Sequence, residues 1–328
     1  MKCVLAYAFA LACLVWVFHD IDAHRLLAAM SIANWHFAMF AVAVDVLTYV
    51  LQGLRWKLLL APIGRLGWLR ATEAIYAGLF TNELVPLRFG ELVRGFLVSR
   101  WLSARFALVL PSILVERFLD AFWLAAAVGL AAIVVPIPKR FMETGYALSG
   151  IVLLGIALFL WLVYRSPRQL QSQAQSFRSR LFKAFSRFAS QFASGLRSID
   201  EAHRIVLAAL VSASMLACQV LALWFILLAC RINLPLWVGA VVLLVVRLGT
   251  AIPNAPGNVG STQFFSVLAL QLFGVEKTVA AGFSITYFLV LTIPLWIIGL
   301  FAFSNAGIHI SALRSEAAAV PRTNLDVL

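Results

Sequence analysis

The 328-residue chain is 63% hydrophobic and 12% charged, with 26 basic against 14 acidic residues and a formal net charge of +12. A mean hydropathy of +0.95 excludes an ordinary water-soluble domain. The positive balance suits membrane topology better than nucleic-acid binding, because Lys and Arg accumulate in the cytoplasmic loops of membrane proteins.

A bilayer core of about 30 Å takes roughly 20 apolar residues per helical crossing. Apolar runs near 3–18, 36–54, 107–135, 146–164, 205–229, 234–252, 260–274 and 278–303 therefore predict an all-α polytopic membrane protein. It would have about eight membrane-embedded helical segments in a single integral domain over 1–328. Helices that close their own backbone hydrogen bonds are what lipid demands. Residues 3–18 follow Lys2 and have two readings, a cleaved secretory signal or a retained first helix. The segment "HDIDAHR" after them contains no small-x-small cleavage site and favours retention. Residues 20–35 read as a short interfacial helix ending at Trp35. Cys3, Cys13, Cys218 and Cys230 lie in apolar segments without metal-ligand spacing and read as packing thiols. Histidines 19, 24, 36, 203 and 309 form no cluster, so neither a metal nor another cofactor is expected.

Basic residues group at Arg55, Lys57, Arg65 and Arg70, again at Arg88, Arg94, Arg100 and Arg105, and most densely from Arg165 to Arg204. These three groups belong on the cytoplasmic side. With 55–70 and 100–105 on one side, the intervening chain must enter the membrane and return. The vertex falls at "NELVPLRFG", Asn82 to Gly90, where Pro86 removes a backbone donor and Gly90 relaxes the chain. The alternative is one helix kinked at Pro86. In the next span, "ILVERFLDAF" places Glu116, Arg117 and Asp120 roughly 15–20 Å deep, with Glu116 and Asp120 on one face. Charges at that depth face an interior and pair, and Arg88, Glu91 and Arg94 are the expected partners. Two readings stay open, an ion-pair lock between helices and a polar cavity for an ionic headgroup.

Residues 165–204 carry Phe177, Leu181, Phe185, Phe188, Phe192, Leu196 and Ile199 at helical spacing, with basic residues opposite. That pattern predicts an amphipathic cytoplasmic linker lying on anionic lipid headgroups. A second broken element, "RLGTAIPNAPGNVGSTQFF", spans 247–265, where Pro253, Pro256, Gly257 and Gly260 interrupt an apolar stretch around 253–260. Its "PGNVG" repeats the spacing of "PLRFG" at 86–90, as paired broken helices of two inverted halves would. Arg247 and Asn258 are candidate pocket residues there, with a snorkelling helix-end arginine as the alternative for Arg247. Residues 304–328 read as a disordered tail.

The segments "LQGLRW" at 51–56, "TNELVPLRFGELVR" at 81–94, "VERFLD" at 115–120 and "PNAPGNVG" at 253–260 occur together in this order. On them the chain resembles the flippase-like integral membrane proteins known as the lysylphosphatidylglycerol synthase transmembrane region, or UPF0104, over roughly 35–303. The resemblance implies handling of a lipid headgroup in the inner membrane: a phospholipid, aminoacyl-phospholipid, hopanoid or polyprenyl-linked lipid. Family motif positions match Arg55, Asn82, Pro86, Arg88, Gly90, Glu91, Arg94, Glu116, Arg117, Asp120, Pro256, Gly257 and Gly260. The chain departs from the pattern where many members carry an acid after the second glycine and a base in the last span. Those regions read Gln263 and Tyr287 here.

The expectation is thus a lipid flippase rather than an enzyme. Arg55, Asn82, Arg88, Glu91, Arg94, Glu116, Arg117, Asp120, Arg247 and Asn258 would contact substrate, and Pro86, Gly90, Pro256, Gly257 and Gly260 would act as hinges. Without a P-loop, direct ATP use is not expected. The competing class is an intramembrane glycosyltransferase acting on a lipid-linked sugar, with Glu116 or Asp120 as base. Self-association stays open.

Overall fold

A computed structural model describes residues 2–30, 34–85, 89–134, 202–251 and 255–306, with Gly150 and Leu154. Every described element is helical. The predicted span at 146–164, most of the 165–204 linker and the tail beyond residue 306 lie outside the described residues, as do Pro86, Arg88 and Pro253.

α1 (Lys2–Phe18) is followed by the short α2 (Ala23–Ala29). The Asp22 carboxylate caps α2 by accepting from the His24 and Arg25 amides at 2.8 and 3.1 Å, which satisfies donors a helix start otherwise leaves free. Trp35 opens α3 and is exposed, as an interfacial aromatic should be. α3 (Trp35–Leu60), α6 (Phe106–Val134), α7 (Ala202–Ala229) and α10 (Lys277–Asn305) have 26, 29, 28 and 29 residues. At 1.5 Å per residue each exceeds the ~30 Å hydrocarbon core.

Four of the remaining helices do not reach that length. α4 (Trp68–Leu84), α5 (Gly90–Trp101), α8 (Leu236–Thr250) and α9 (Ser261–Gln271) have 17, 12, 15 and 11 residues, or about 26, 18, 22 and 16 Å. They pair off as hairpins, α4 against α5 and α8 against α9. Each hairpin is closed by a glycine. A Cβ at Gly90 would lie 1.8 Å from the Gly78 carbonyl oxygen, and one at Gly249 would lie 2.1 Å from the Phe265 ring. The hairpin prediction for 82–90 holds: α4 and α5 lie side by side, so a single helix kinked at Pro86 is excluded. The break near 253–260 also stands where expected. A short 3-10 turn at Pro256–Asn258 precedes α9, with Gly257, Asn258 and Gly260 all at positive φ (65°, 53° and 86°).

The chain therefore runs span–hairpin–span twice, α3 to α6 and α7 to α10. Each unit has its own apolar core. Trp56, Ile75, Val98, Val109 and Ile113 pack together in the first. Leu223, Leu227, Val242, Leu270 and Phe283 do so in the second. The units join most extensively along α3 and α7, and α10 packs on α4.

Candidate functional site

Three helices of the first unit carry the charged residues to one place. On α6, Glu116 and Asp120 share a face at i,i+4 spacing. α3 turns Arg55 toward them: its Nη1 donates to Asp120 Oδ1 at 2.5 Å and its Nη2 to Glu116 Oε1 at 3.1 Å. Ser212, reaching in from α7, accepts from Arg55 Nη1 at 2.9 Å. α5 contributes Arg94, whose Nη2 lies 2.7 Å from Glu116 Oε2. The two meet as charges without hydrogen-bond alignment, since neither atom has a hydrogen-bond partner among the described residues. The Arg94 guanidinium also lies over the Trp56 ring, 4.7 Å from its centroid. That ring is held by its Nε1 donating to Ser112 Oγ at 3.0 Å.

The cluster has two layers. The side chains of Arg55 and Glu116 are fully buried and that of Arg94 is 4% exposed. Above them, Arg117 is 43% exposed, Asp120 31% and Glu91 29%. Arg117 joins the upper acids, with Nη2 3.3 Å from Glu91 Oε1 and Nη1 3.6 Å from Asp120 Oδ2. Three cations face three anions. The inner layer has the geometry of a lock, in which every charge has an opposite within contact, as buried charges require. The outer layer is accessible and loosely paired.

Of the expected site residues, Arg55, Glu91, Arg94, Glu116, Arg117 and Asp120 come together. Arg88, expected as a partner of the acids, lies outside the described residues, and Arg55 supplies the third cation instead. The expectation grouped Arg55 with Lys57, Arg65 and Arg70 as a cytoplasmic charge, and that grouping is corrected. α3 continues to Leu60, which carries Arg55 inside the protein, fully buried. Asn82 serves the hairpin rather than the cluster, its Oδ1 accepting from the Gly90 amide at 2.8 Å. Asn258 stands at the tip of the second hairpin, away from the six charges, and its carbonyl accepts from Ser261 Oγ at 3.1 Å. Arg247, in the last turn of α8, is exposed and forms no ion pair with a member of the cluster.

Asp45 and Glu83 were not singled out in the sequence, whereas Gln263 was. Asp45 on α3 is buried, and its one signal is being a lone acid in an apolar helix. Glu83 joins the two hairpin tips. Its Oε2 accepts from Trp296 Nε1 at 3.3 Å and lies 2.7 Å from where a Cβ of Gly257 would stand. Gln263, which replaces the acid usual in the resembled family, accepts the Gly260 amide through Oε1 at 2.7 Å. It keeps the capping bond an acid would make, without the charge.

Residues 3–299 match the family described as lysylphosphatidylglycerol synthase TM region. Curated proteins that are similar carry the description UPF0104 membrane protein. One from Methanocaldococcus jannaschii is 24% identical over 216 residues, covering 65% of this chain and 88% of its own. One from Archaeoglobus fulgidus is 30% identical over 183 residues, covering 52% and 53%. A second from M. jannaschii is 21% identical over 296 residues, covering 85% and 86%.

Proposed function

As the chain belongs to the lysylphosphatidylglycerol synthase transmembrane-region family, on 3–299 of its 328 residues, we propose that this multi-pass membrane protein moves a lipid across the bilayer. The lipid's charged headgroup would pass over the Arg/Glu/Asp cluster. The observation that carries this reading is the layering of the cluster. A purely structural lock has no need of the outer layer, where three charged side chains 29–43% exposed make contacts of 3.3 and 3.6 Å. Charges at membrane depth left loosely paired are costly, and they are retained where a passing ionic group exchanges with them. Arg117 is the member placed to receive a phosphate, and a guanidinium's planar donor fork suits phosphate oxygens. Glu91 and Asp120 hold it in the empty site. Arg55, Arg94 and Glu116 position those outer groups from below.

Transport is favoured over catalysis because the acids are already engaged. Glu116 faces Arg55 and Arg94, and Asp120 faces Arg55 and Arg117. A general base needs a free lone pair near the proton it abstracts, and either acid would have to leave two cations to act as one. The paired hairpins fit a transporter built from two halves around a central site. Counting the span read at 146–164, the second half is inverted and the basic 165–204 linker faces the cytoplasm. Residence is then in the inner membrane, with anionic lipid under the linker.

The test is translocation of fluorescent phospholipid in proteoliposomes by wild type and Arg117→Ala. Loss of translocation by a variant that purifies and unfolds like wild type is expected. An Arg117→Ala variant that translocates at the wild-type rate refutes the role of the outer layer. A headgroup-modified product formed by purified protein with an activated sugar donor supports the transferase instead.

A further inference from the structure

α3 is apolar on one side and polar on the other. Phe40, Leu47 and Leu54, seven residues apart, are exposed and form the side turned to lipid. Asp45, Thr48, Gln52 and Arg55 follow one another at spacings of three, four and three, which is one helix face. They are 7%, 1%, 9% and 0% exposed. Four polar side chains thus stand in succession inside the protein, along about 15 Å of helix. The charge cluster holds one end of this stripe, where Arg55 donates to Glu116, Asp120 and Ser212. From there the stripe runs toward the Trp35 end of α3, and buried Ala41 and Ala38 continue its spacing with small side chains.

Polar side chains between membrane helices act as glue when they bond from one helix to the next. Beyond Arg55 this stripe does not. Among the described residues, the Asp45 and Gln52 side chains have no hydrogen-bond or ion-pair partner. Thr48 Oγ1 donates to the Val44 carbonyl of its own helix at 3.0 Å and joins no second helix. Tyr49, one turn from Asp45, meets Tyr76 of α4 with ring centroids 5.4 Å apart. The Tyr76 hydroxyl is buried with no hydrogen-bond partner among the described residues. On α7, Gln219 stands seven residues beyond Ser212, on the face that meets Arg55. Hydrogen-bonding capacity left unused at membrane depth is costly, and polar groups turned inward there mark the path of a polar substrate.

We propose that this inner face of α3 is the route along which the headgroup leaves the charge cluster and crosses toward the Trp35 end, with Gln52, Thr48 and Asp45 as successive contacts. This rests on the reading of the protein as a lipid transporter, and it adds the path. Arg117 receives the phosphate, and beyond Arg55 the stripe carries no further cation. The Gln52 amide and the Tyr76 hydroxyl donate to phosphate oxygens, and the Asp45 carboxylate accepts from headgroup hydroxyl or ammonium hydrogens. Passage needs contacts that are weak and several, so that each can be left for the next. Neutral donors in series meet that need better than a further arginine would. α4, α6, α7 and α10 pack on α3, and the stripe is covered in this structure, so the route opens as the headgroup moves.

The experiment uses purified full-length protein in proteoliposomes, with NBD-labelled phosphatidylglycerol as the probe and dithionite reporting its translocation. Protein-free vesicles serve as the control. Thr48→Cys, Gln52→Cys and Leu47→Cys are made singly in a background whose four native cysteines are changed to alanine, and each is treated with a membrane-impermeant methanethiosulfonate. Thr48→Cys and Gln52→Cys are expected to react and Leu47→Cys, on the lipid side, is not, because an apolar setting keeps a thiol from its reactive thiolate form. Thr48→Val combined with Gln52→Leu lowers the translocation rate about tenfold, the worth of roughly one hydrogen bond, and Leu47→Ala leaves it unchanged. Equal reactivity of the three cysteine variants, or a double variant at the wild-type rate, overturns the route while leaving lipid transport standing. Failure of wild type to translocate the probe at all overturns lipid transport and the route with it. If the double variant does not fold, the labelling pattern decides the matter.

Discussion

Glu116→Gln separates the two layers of the charge cluster. Glu116 is the sole acid of the inner layer, with Arg55 Nη2 at 3.1 Å and Arg94 Nη2 at 2.7 Å, all three side chains 0–4% exposed. Its neutralisation leaves Arg55 with Asp120 at 2.5 Å and leaves Arg94 without an anion in contact. Breaking a buried pair from one side costs about 3–5 kcal/mol, since the orphaned charge stays desolvated. Arg117→Ala removes a 43% exposed cation whose contacts are 3.3 and 3.6 Å. After solvent screening that pair contributes about 0–1 kcal/mol. Glu116→Gln is therefore expected to lower unfolding free energy in mixed detergent–SDS micelles several times more than Arg117→Ala. Adding Arg94→Met to Glu116→Gln restores neutrality and keeps apolar bulk against Trp56, so the double variant should recover more than half of the loss. That non-additivity is what contacting residues show in a double-mutant cycle. Glu116→Gln within about 1 kcal/mol of wild type, or a double variant no more stable than the single, would refute the layered account.

Three further outcomes are expected. Exchanging Arg117 and Asp120, by Arg117→Asp with Asp120→Arg, preserves net charge but sets two cations face to face at Arg55, 2.5 Å from the present Asp120 oxygen; lipid translocation should be lost, and a wild-type rate would show that only net charge matters. Gly90→Ala drives a Cβ to 1.8 Å from the Gly78 carbonyl and disturbs the 2.8 Å bond from the Gly90 amide to Asn82. Overpacking typically costs about 1–3 kcal/mol, read as a lower SDS unfolding midpoint, and an unchanged midpoint would show that α4 and α5 do not meet at these glycines. Gly257→Ala places an L-residue at a φ of 65° with its Cβ 2.7 Å from Glu83 Oε2. It should cost about 1–2 kcal/mol for the backbone alone, and Glu83→Ala in the same background should relieve only the steric part.

The helices were legible because lipid imposes a length: among the described residues, each apolar run long enough to cross returned as a helix within a few residues of its predicted bounds. Both hairpins were legible because Pro86, Gly90, Pro256 and Gly260 interrupt apolar stretches too short to cross twice. Glu91, Arg94, Glu116, Arg117 and Asp120 were legible because charge at that depth must pair. Arg55 was expected at the site, and its counting with the basic group at the span end fails for a physical reason. Counting arginines near a span end cannot distinguish a loop from the last two turns of a helix, and α3 runs five residues past it. Ser212 carries no signal at all, being a serine 157 positions from the arginine it meets.

The distribution of charge between the units determines where motion is cheap. Arg55, Glu91, Arg94, Glu116, Arg117 and Asp120 all belong to the first unit, so separating α3, α5 and α6 would break buried pairs at several kcal/mol each. Between Ile205 and Asn305 the charged residues are Arg231, Arg247, Glu276 and Lys277, and Arg247 sits exposed in the last turn of α8. Among the described residues, the polar side-chain contact from the second unit to the charged site is thus the hydrogen bond from the Arg55 guanidinium to Ser212 at 2.9 Å. The α3–α7 seam is the most extensive one between the units and carries the Arg55–Ser212 bond, so it gains nothing by parting, whereas the α8/α9 hairpin meets the first hairpin through Glu83 and Gly257. A displacement that pivots on α3–α7 and carries α8/α9 across the outer layer leaves every inner ion pair intact, since Arg55, Arg94 and Glu116 all belong to the first unit. Rocking of one half against the other is the motion this charge distribution opposes least.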